Sequence, residues 1–208
     1  MNVYPIVKEV ITMLYYIASI GLAAGIFIAI KQLNLMKKDM RIKNKRASIE
    51  KSIEYLNWFA TSFIPLENKY SSTLKGKPIK LTKINHKKEF LASEILDAVS
   101  LECKFDAGVG NLANQLEFFS AAMMSGLADE ELAFNPLSHI FCEFIDHNYD
   151  VYCYLRKDIE HNFSNTVSLY KMWAERIHSN ELTKEKQEIS EKLAKLNLSK
   201  VNTIGNEI

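Results

Sequence analysis

The 208 residues carry a formal net charge of +1, with 25% charged and 48% hydrophobic side chains, enough for one compact domain with a real core once a membrane segment is set aside. Near-neutrality hides a partition: residues 31–46 hold seven cations against Asp39, residues 69–88 hold seven lysines and no acid, and residues 89–165 hold fourteen acids against Lys104, Arg156 and Lys157. The acidic body excludes extended duplex nucleic acid, whose binding rests on phosphate neutralisation, and the widely spaced Cys103, Cys142 and Cys153 read as reduced core thiols rather than a disulfide framework.

Residues 1–9 form a short outer tail. Residues 10–30, VITMLYYIASIGLAAGIFIAI, then run for 21 positions without a charge. At 1.5 Å per residue they cover about 30 Å, the thickness of a bilayer's hydrocarbon core. The run is too long for a signal peptide and lacks a clear small-residue cleavage site, so a retained single span is expected. The cations that follow it place the C-terminal side in the cytoplasm of a bacterial inner membrane. Gly21 and Gly25 form a GxxxG pair, and Ser19 with Ala23 a second small pair, which fits close packing against another copy within the bilayer. A single span cannot enclose a pore, so any channel would need an oligomer.

Residues 31–65 read as a basic juxtamembrane helix. No glycine or proline lies between positions 25 and 65, and Leu35, Ile42, Ile49, Leu56 and Phe63 recur every seven residues. The helix is predicted to end at Pro65. Its upper half, interrupted by Asp39 and Arg46, fits an anionic lipid surface, where each Lys or Arg contributes about 1 kcal/mol. From Ile49 onward burial is expected. A continuous helix would carry a rotation of the cytosolic body to the span.

Residues 66–88 read as a lysine-rich loop. Lys75, Lys77, Lys80, Lys83, Lys87 and Lys88 are the candidate binding residues for an anionic ligand such as a nucleotide second messenger, against the plainer reading of a solvated or lipid-facing loop.

Residues 89–180 are predicted to form a helical bundle. One stripe covers roughly 86–105 through Leu91, Ile95, Leu96, Val99 and Cys103, and another covers 110–125 through Leu112, Leu116, Phe119 and Met123 to Gly126. Asp129 caps a short turn. Asn135 and Pro136 open a long helix through Leu137, Phe141, Ile145, Asn148, Tyr152 and Leu155, and 164–178 makes one more around Trp173. Residues 181–208 form a charged helix and tail, with Ile189, Leu193 and Leu196 on a narrow stripe. The class is all-α: an N-terminal transmembrane helix continuing into a cytosolic helical bundle.

Signals for chemistry are sparse. Arg156 and His161 fit the R-x4–6-H spacing of helical HEPN ribonucleases, in which histidine serves as acid or base, but Asp158 and Glu160 between them would repel RNA. His139, Glu143 and His147 follow one another at helical spacing, yet the histidines stand two turns apart, so a solvated polar face is expected rather than a metal site. Gly108-Val-Gly110 lacks the context of a phosphate loop. No enzymatic activity, metal or cofactor is expected.

The segment LANQLEFFSAAMMSGLADEELAFNPLSHIFCEFIDHNYDVYCYLRKDIEH with LYKMWAERI after it resembles a bacterial domain-of-unknown-function family of single-span helical proteins. The residues that carry the likeness run from Leu116 to Phe119, then Gly126, Asp129 to Glu131, Arg156 and Trp173, and it covers residues 8–178. The resemblance implies the fold and is silent on activity. The architecture is also similar to small membrane effectors of phage-defence systems of CRISPR, CBASS and retron type. That likeness implies an oligomeric sensor or effector in which a cyclic oligonucleotide signal reaches the cytosolic domain and the anchor perturbs the membrane. A non-enzymatic scaffold that holds a partner protein at the bilayer is the alternative.

Overall fold

The computed structural model describes residues 4–79, 89–91 and 97–195, and among them there is no strand. The chain divides into two units, Met1–Ile49 and Glu50–Ile208.

The first unit is the greater part of one helix, α1, which runs over Tyr4–Trp58. Residues 4–46 are exposed along their whole length, including Leu14, Ile17, Ile20, Leu22 and Phe27, each more than half accessible. A helix that is apolar all round belongs in lipid or in a core, and this one is long and apolar enough to cross a membrane. Its hydroxyls return to their own helix: Thr12 Oγ1 donates to the Lys8 carbonyl and Ser19 Oγ to the Tyr15 carbonyl, both at 2.8 Å. Gly21 and Gly25 lie open on the surface, with nothing within 4 Å of where a Cβ would stand.

The second unit begins in the last turns of α1 and holds the core. Ser52 is fully buried there; its Oγ donates to the Asp129 carbonyl at 3.0 Å and accepts from the Asp129 N–H at 2.6 Å. Pro65 does not end the helical path. The chain widens into a π-turn at Phe59–Phe63, where the Ile64 N–H reaches back to the Phe59 carbonyl, and continues as α2 over Ile64–Leu74. The shift falls just before Pro65, so the ladder is already re-registered where an α-helix would have needed the missing N–H. The true stop is Gly76 at φ 82°, a left-handed conformation that glycine adopts freely, with Pro78 beyond it. The lysine-rich loop expected from 66 therefore starts about a helical length later.

α3 covers Ala98–Asp106 and is opened by Asp97, whose carboxylate accepts from the Val99 and Ser100 N–H groups. The expected start near 86 is not met: Phe90 sits at φ 55°, outside any helix. The expected stripe is also turned, since Val99 is exposed while Leu101 and Lys104 are buried; Ile95 and Leu96 lie outside the described residues. α4, Val109–Met124, buries the whole predicted stripe of Leu112, Leu116, Phe119 and Met123 and closes at Gly126, φ 73°.

α5 spans Glu130–His147 and is opened by Asp129, not by Asn135. Asp129 accepts from the Leu132 N–H at 3.2 Å, and Glu130 and Glu131 occupy the first turn, where carboxylates complement the helix dipole. Burial of Ala133, Phe134 and Leu137 holds the helix together across Pro136. Asn148 then breaks the long helix that the apolar pattern predicts: its Nδ2 donates to the Phe144 carbonyl at 2.8 Å, and the chain restarts as α6, Tyr149–Leu155. α7, Ser164–Lys195, joins what reads as two elements, the helix at 164–178 and the start of the charged segment from 181, into one.

α7 packs on α4 and α5, with Trp173 fully buried among Phe119, Phe134 and Phe141. Its N-terminus is capped from α4. The Glu117 carboxylate accepts from the N–H groups of Asn165 and Thr166, from Thr166 Oγ1 and from Asn165 Nδ2, at 2.8–3.3 Å. Four donors on one partly buried carboxylate make a charge-assisted cap, so Glu117→Ala is expected to cost about 2 kcal/mol, read as a lower urea midpoint with an unchanged slope.

Candidate functional site

A cleft of about 530 Å³ lies between α2, α3 and the second half of α5. Tyr70, Leu74, Ile79, Ile140 and Phe144 give it apolar walls, and Glu67, Ser71, Lys75, Lys104, Glu143, His147 and Asn148 supply polar groups. Such a combination is ordinary for sites that hold small molecules.

Each polar group is placed by the local fold. Lys75 stands at the C-cap of α2 in extended conformation, exposed, just before the Gly76 turn. Lys104 is 2% exposed, and its ammonium group donates to Asp150 Oδ1 at 2.6 Å and to the His147 carbonyl at 2.7 Å. The second bond satisfies a carbonyl at the C-terminus of α5, where a cation also complements the dipole. Tyr70 Oη donates to Asn148 Oδ1 at 2.5 Å, so the residue that ends α5 is clamped from α2. Burial, with Asp150 and Glu67 adding to it, raises the Tyr70 phenol well above its ordinary range, which keeps that donor protonated. Ser71 Oγ donates to Glu67 Oε1 at 2.7 Å on the rim.

Of the predicted ligand-binding lysines, Lys75 lines this cleft and Lys77 lies half-buried in the turn after it. Lys80, Lys83, Lys87 and Lys88 lie outside the described residues. Sequence reasoning missed Lys104, Tyr70 and Asn148. The signal for Lys104 was present: it is the sole lysine between positions 89 and 156, and it sits one turn from Leu101 on an otherwise apolar stripe.

Arg156 and His161 are not part of the cleft. They flank the turn between α6 and α7, where Arg156 Nη1 donates to the Asn162 carbonyl at 2.7 Å and His161 is exposed.

A second cleft of about 450 Å³ separates α5 from α7 and is lined by His139, His147, His178, Glu143, Asp146 and Cys142, among others. Among the described residues no three such side chains converge to hold a metal ion. Burial, with Asp146 nearby, pushes the Cys142 thiol from 9.0 up to about 12. A proton held more tightly in the folded state gives stability that is present at neutral pH and is lost as the pH climbs from 9.0 towards 12. Tyr170, raised by burial and by its hydrogen bond to Asp146, acts in the same direction. Cys142 is therefore expected to resist iodoacetamide at pH 8 in the folded chain and to react fully in urea, while the urea midpoint falls steadily above pH 9.

Comparison with protein-family models, with curated proteins and with solved structures returns no match.

Proposed function

We propose that this chain is a membrane-anchored helical receptor whose cytosolic unit takes up a small polar ligand in the cleft between α2 and α5. The observation that carries the reading is the cleft itself: a site of about 530 Å³ with the exposed Lys75 at its edge, a buried ammonium group at Lys104, and carboxylates at Glu67 and Glu143. The anchor is the uncharged run at residues 10–30, and the seven cations after it orient the rest of the chain towards the cytoplasm of a bacterial inner membrane. The narrower form of the proposal is a defence effector in which the ligand is an anionic nucleotide such as a cyclic oligonucleotide, bound with the help of Lys75, Lys77 and the lysines that follow.

Thermal unfolding of the full chain in lipid nanodiscs, against cyclic nucleotides and oligonucleotides at two salt concentrations, tests it. A ligand at 100 times its dissociation constant adds about 2.7 kcal/mol, a shift of several degrees. The shift is expected to weaken with salt and to disappear in Lys75→Glu, whose side chain is exposed and outside the core. Absence of a shift with every compound would remove the nucleotide reading.

One observation favours a scaffold as the second reading. Beyond Ile177, α7 is exposed through residue 194, and Leu182, Ile189 and Leu193 are each more than half accessible; Leu196 lies outside the described residues. A narrow apolar stripe on an otherwise polar, exposed helix is a surface that a partner helix can cover. Truncation after Ser179 would then remove partner binding and leave the unfolding midpoint of the bundle in place.

A further inference from the structure

We propose that the cleft between α2 and α5 takes a nucleotide base-first and reads a lactam edge, a ring N–H beside a C=O, as guanine and uracil carry. The inference rests on the nucleotide uptake proposed above and names which nucleotides are taken. It starts from a mismatch of charge. Glu67 and Glu143 both line the cleft, whereas of its two lysines Lys104 is already matched by Asp150 and Lys75 stands at the edge. A phosphate group is repelled by carboxylates, so it belongs beside Lys75, and the carboxylates meet the uncharged end of the ligand.

The inner end supplies donors. The Lys104 ammonium group has three N–H bonds, of which Asp150 Oδ1 and the His147 carbonyl take two. Asn148 Nδ2 has two, and the Phe144 carbonyl takes one, while its Oδ1 already accepts from the Tyr70 hydroxyl. Both residues are 2% exposed and line the cleft, so each keeps one buried N–H with no acceptor among the described residues. A ligand oxygen placed there restores what burial of an open donor costs. Glu143 supplies the acceptor: it is exposed on the same wall, one turn before His147, whereas Glu67 already accepts from Ser71 Oγ. A lactam gives its C=O to Lys104 and Asn148 and its N–H to Glu143, with the ring against Tyr70 and Phe144. Adenine and cytosine reverse both polarities, because an amino group replaces the C=O and a bare ring nitrogen replaces the N–H.

The test is calorimetric titration of the full chain in lipid nanodiscs with GMP, UMP, AMP and CMP. GMP and UMP are expected to bind at least about tenfold more tightly than AMP and CMP. The 1-methyl derivative of GMP, which lacks the ring N–H, is expected to fall to the level of AMP. Glu143→Ala, at an exposed position outside the core, is expected to remove the difference between GMP and AMP. Lys75→Glu, by contrast, is expected to weaken all four alike. Equal binding of the four nucleotides by the parent chain would overturn the lactam reading and leave nucleotide uptake standing. Binding of none would remove both. A preference for GMP that survives Glu143→Ala would also overturn the proposal, since the ring N–H would then be read elsewhere.

Discussion

Lys104→Met is expected to lower the stability of the Glu50–Ile208 unit by about 3–5 kcal/mol, because it leaves the Asp150 carboxylate in the interior without its cation. The pair is closely matched, at 2.6 Å with side chains 2% and 10% accessible, and desolvation of two charges offsets much of its attraction. The larger loss comes from leaving one half behind. Asp150→Leu alone should fail in the same way, with the ammonium group stranded beside the His147 carbonyl. The double variant Lys104→Met, Asp150→Leu is therefore expected to recover most of the loss in urea unfolding. A double variant no more stable than either single one would mean that the two residues do not act as a pair. The position also lines the cleft, so the recovered double variant separates the fold from ligand uptake: it should be folded and impaired in binding.

Trp173→Ala is expected to cost a similar 3–5 kcal/mol and about 10 °C in the midpoint of thermal unfolding. The indole is fully buried, its centroid lies 5.1 Å from that of Phe141 and 5.8 Å from that of Phe134, and Nε1 donates to Glu130 Oε1 at 2.5 Å. Three helices meet on this ring, so the surroundings cannot close over the space it leaves. Trp173→Phe keeps much of the packing but gives up the indole N–H, and should fall roughly midway, because Arg176 still faces Glu130 at 3.5 Å. Equal losses for the two variants would assign the stabilisation to the hydrogen bond rather than to the ring.

What could be read from the chain beforehand follows the strength of each local signal. The stripe of α4 was legible because Leu112, Leu116, Phe119 and Met123 all face one way and Gly126 closes the helix. The stops were harder. Pro65 reads as a terminator by its chemistry, but a π-turn relieved it, and the effective signal was Gly76 followed by Pro78. Pro136 misled in the opposite sense: paired with Asn135 it imitates a helix start, while Asp129 with Glu130 and Glu131 had already opened α5 six residues earlier. Asn148 continued the apolar spacing of α5 and still ended it, because its side chain found the Phe144 carbonyl and the Tyr70 hydroxyl. The cleft was legible only at Lys75. Its other polar groups come from α2, α3 and α5, and no spacing along one segment could bring Tyr70 to Asn148 or Lys104 to Asp150 across such separations.

The π-turn at Phe59–Phe63 has a consequence for tolerance to changes in length. Each helical residue advances the chain by about 100° around its axis, so the direction in which α2 faces depends on how many residues precede it. The wide turn shifts that count, and the shift brings Tyr70 onto Asn148 and Lys75 to the edge of the cleft. A substitution at the exposed Ala60 leaves this phase alone. Deletion of Ala60 would rotate all of α2 by about a quarter-turn and move the cleft's α2 wall out of line without removing any residue that lines it.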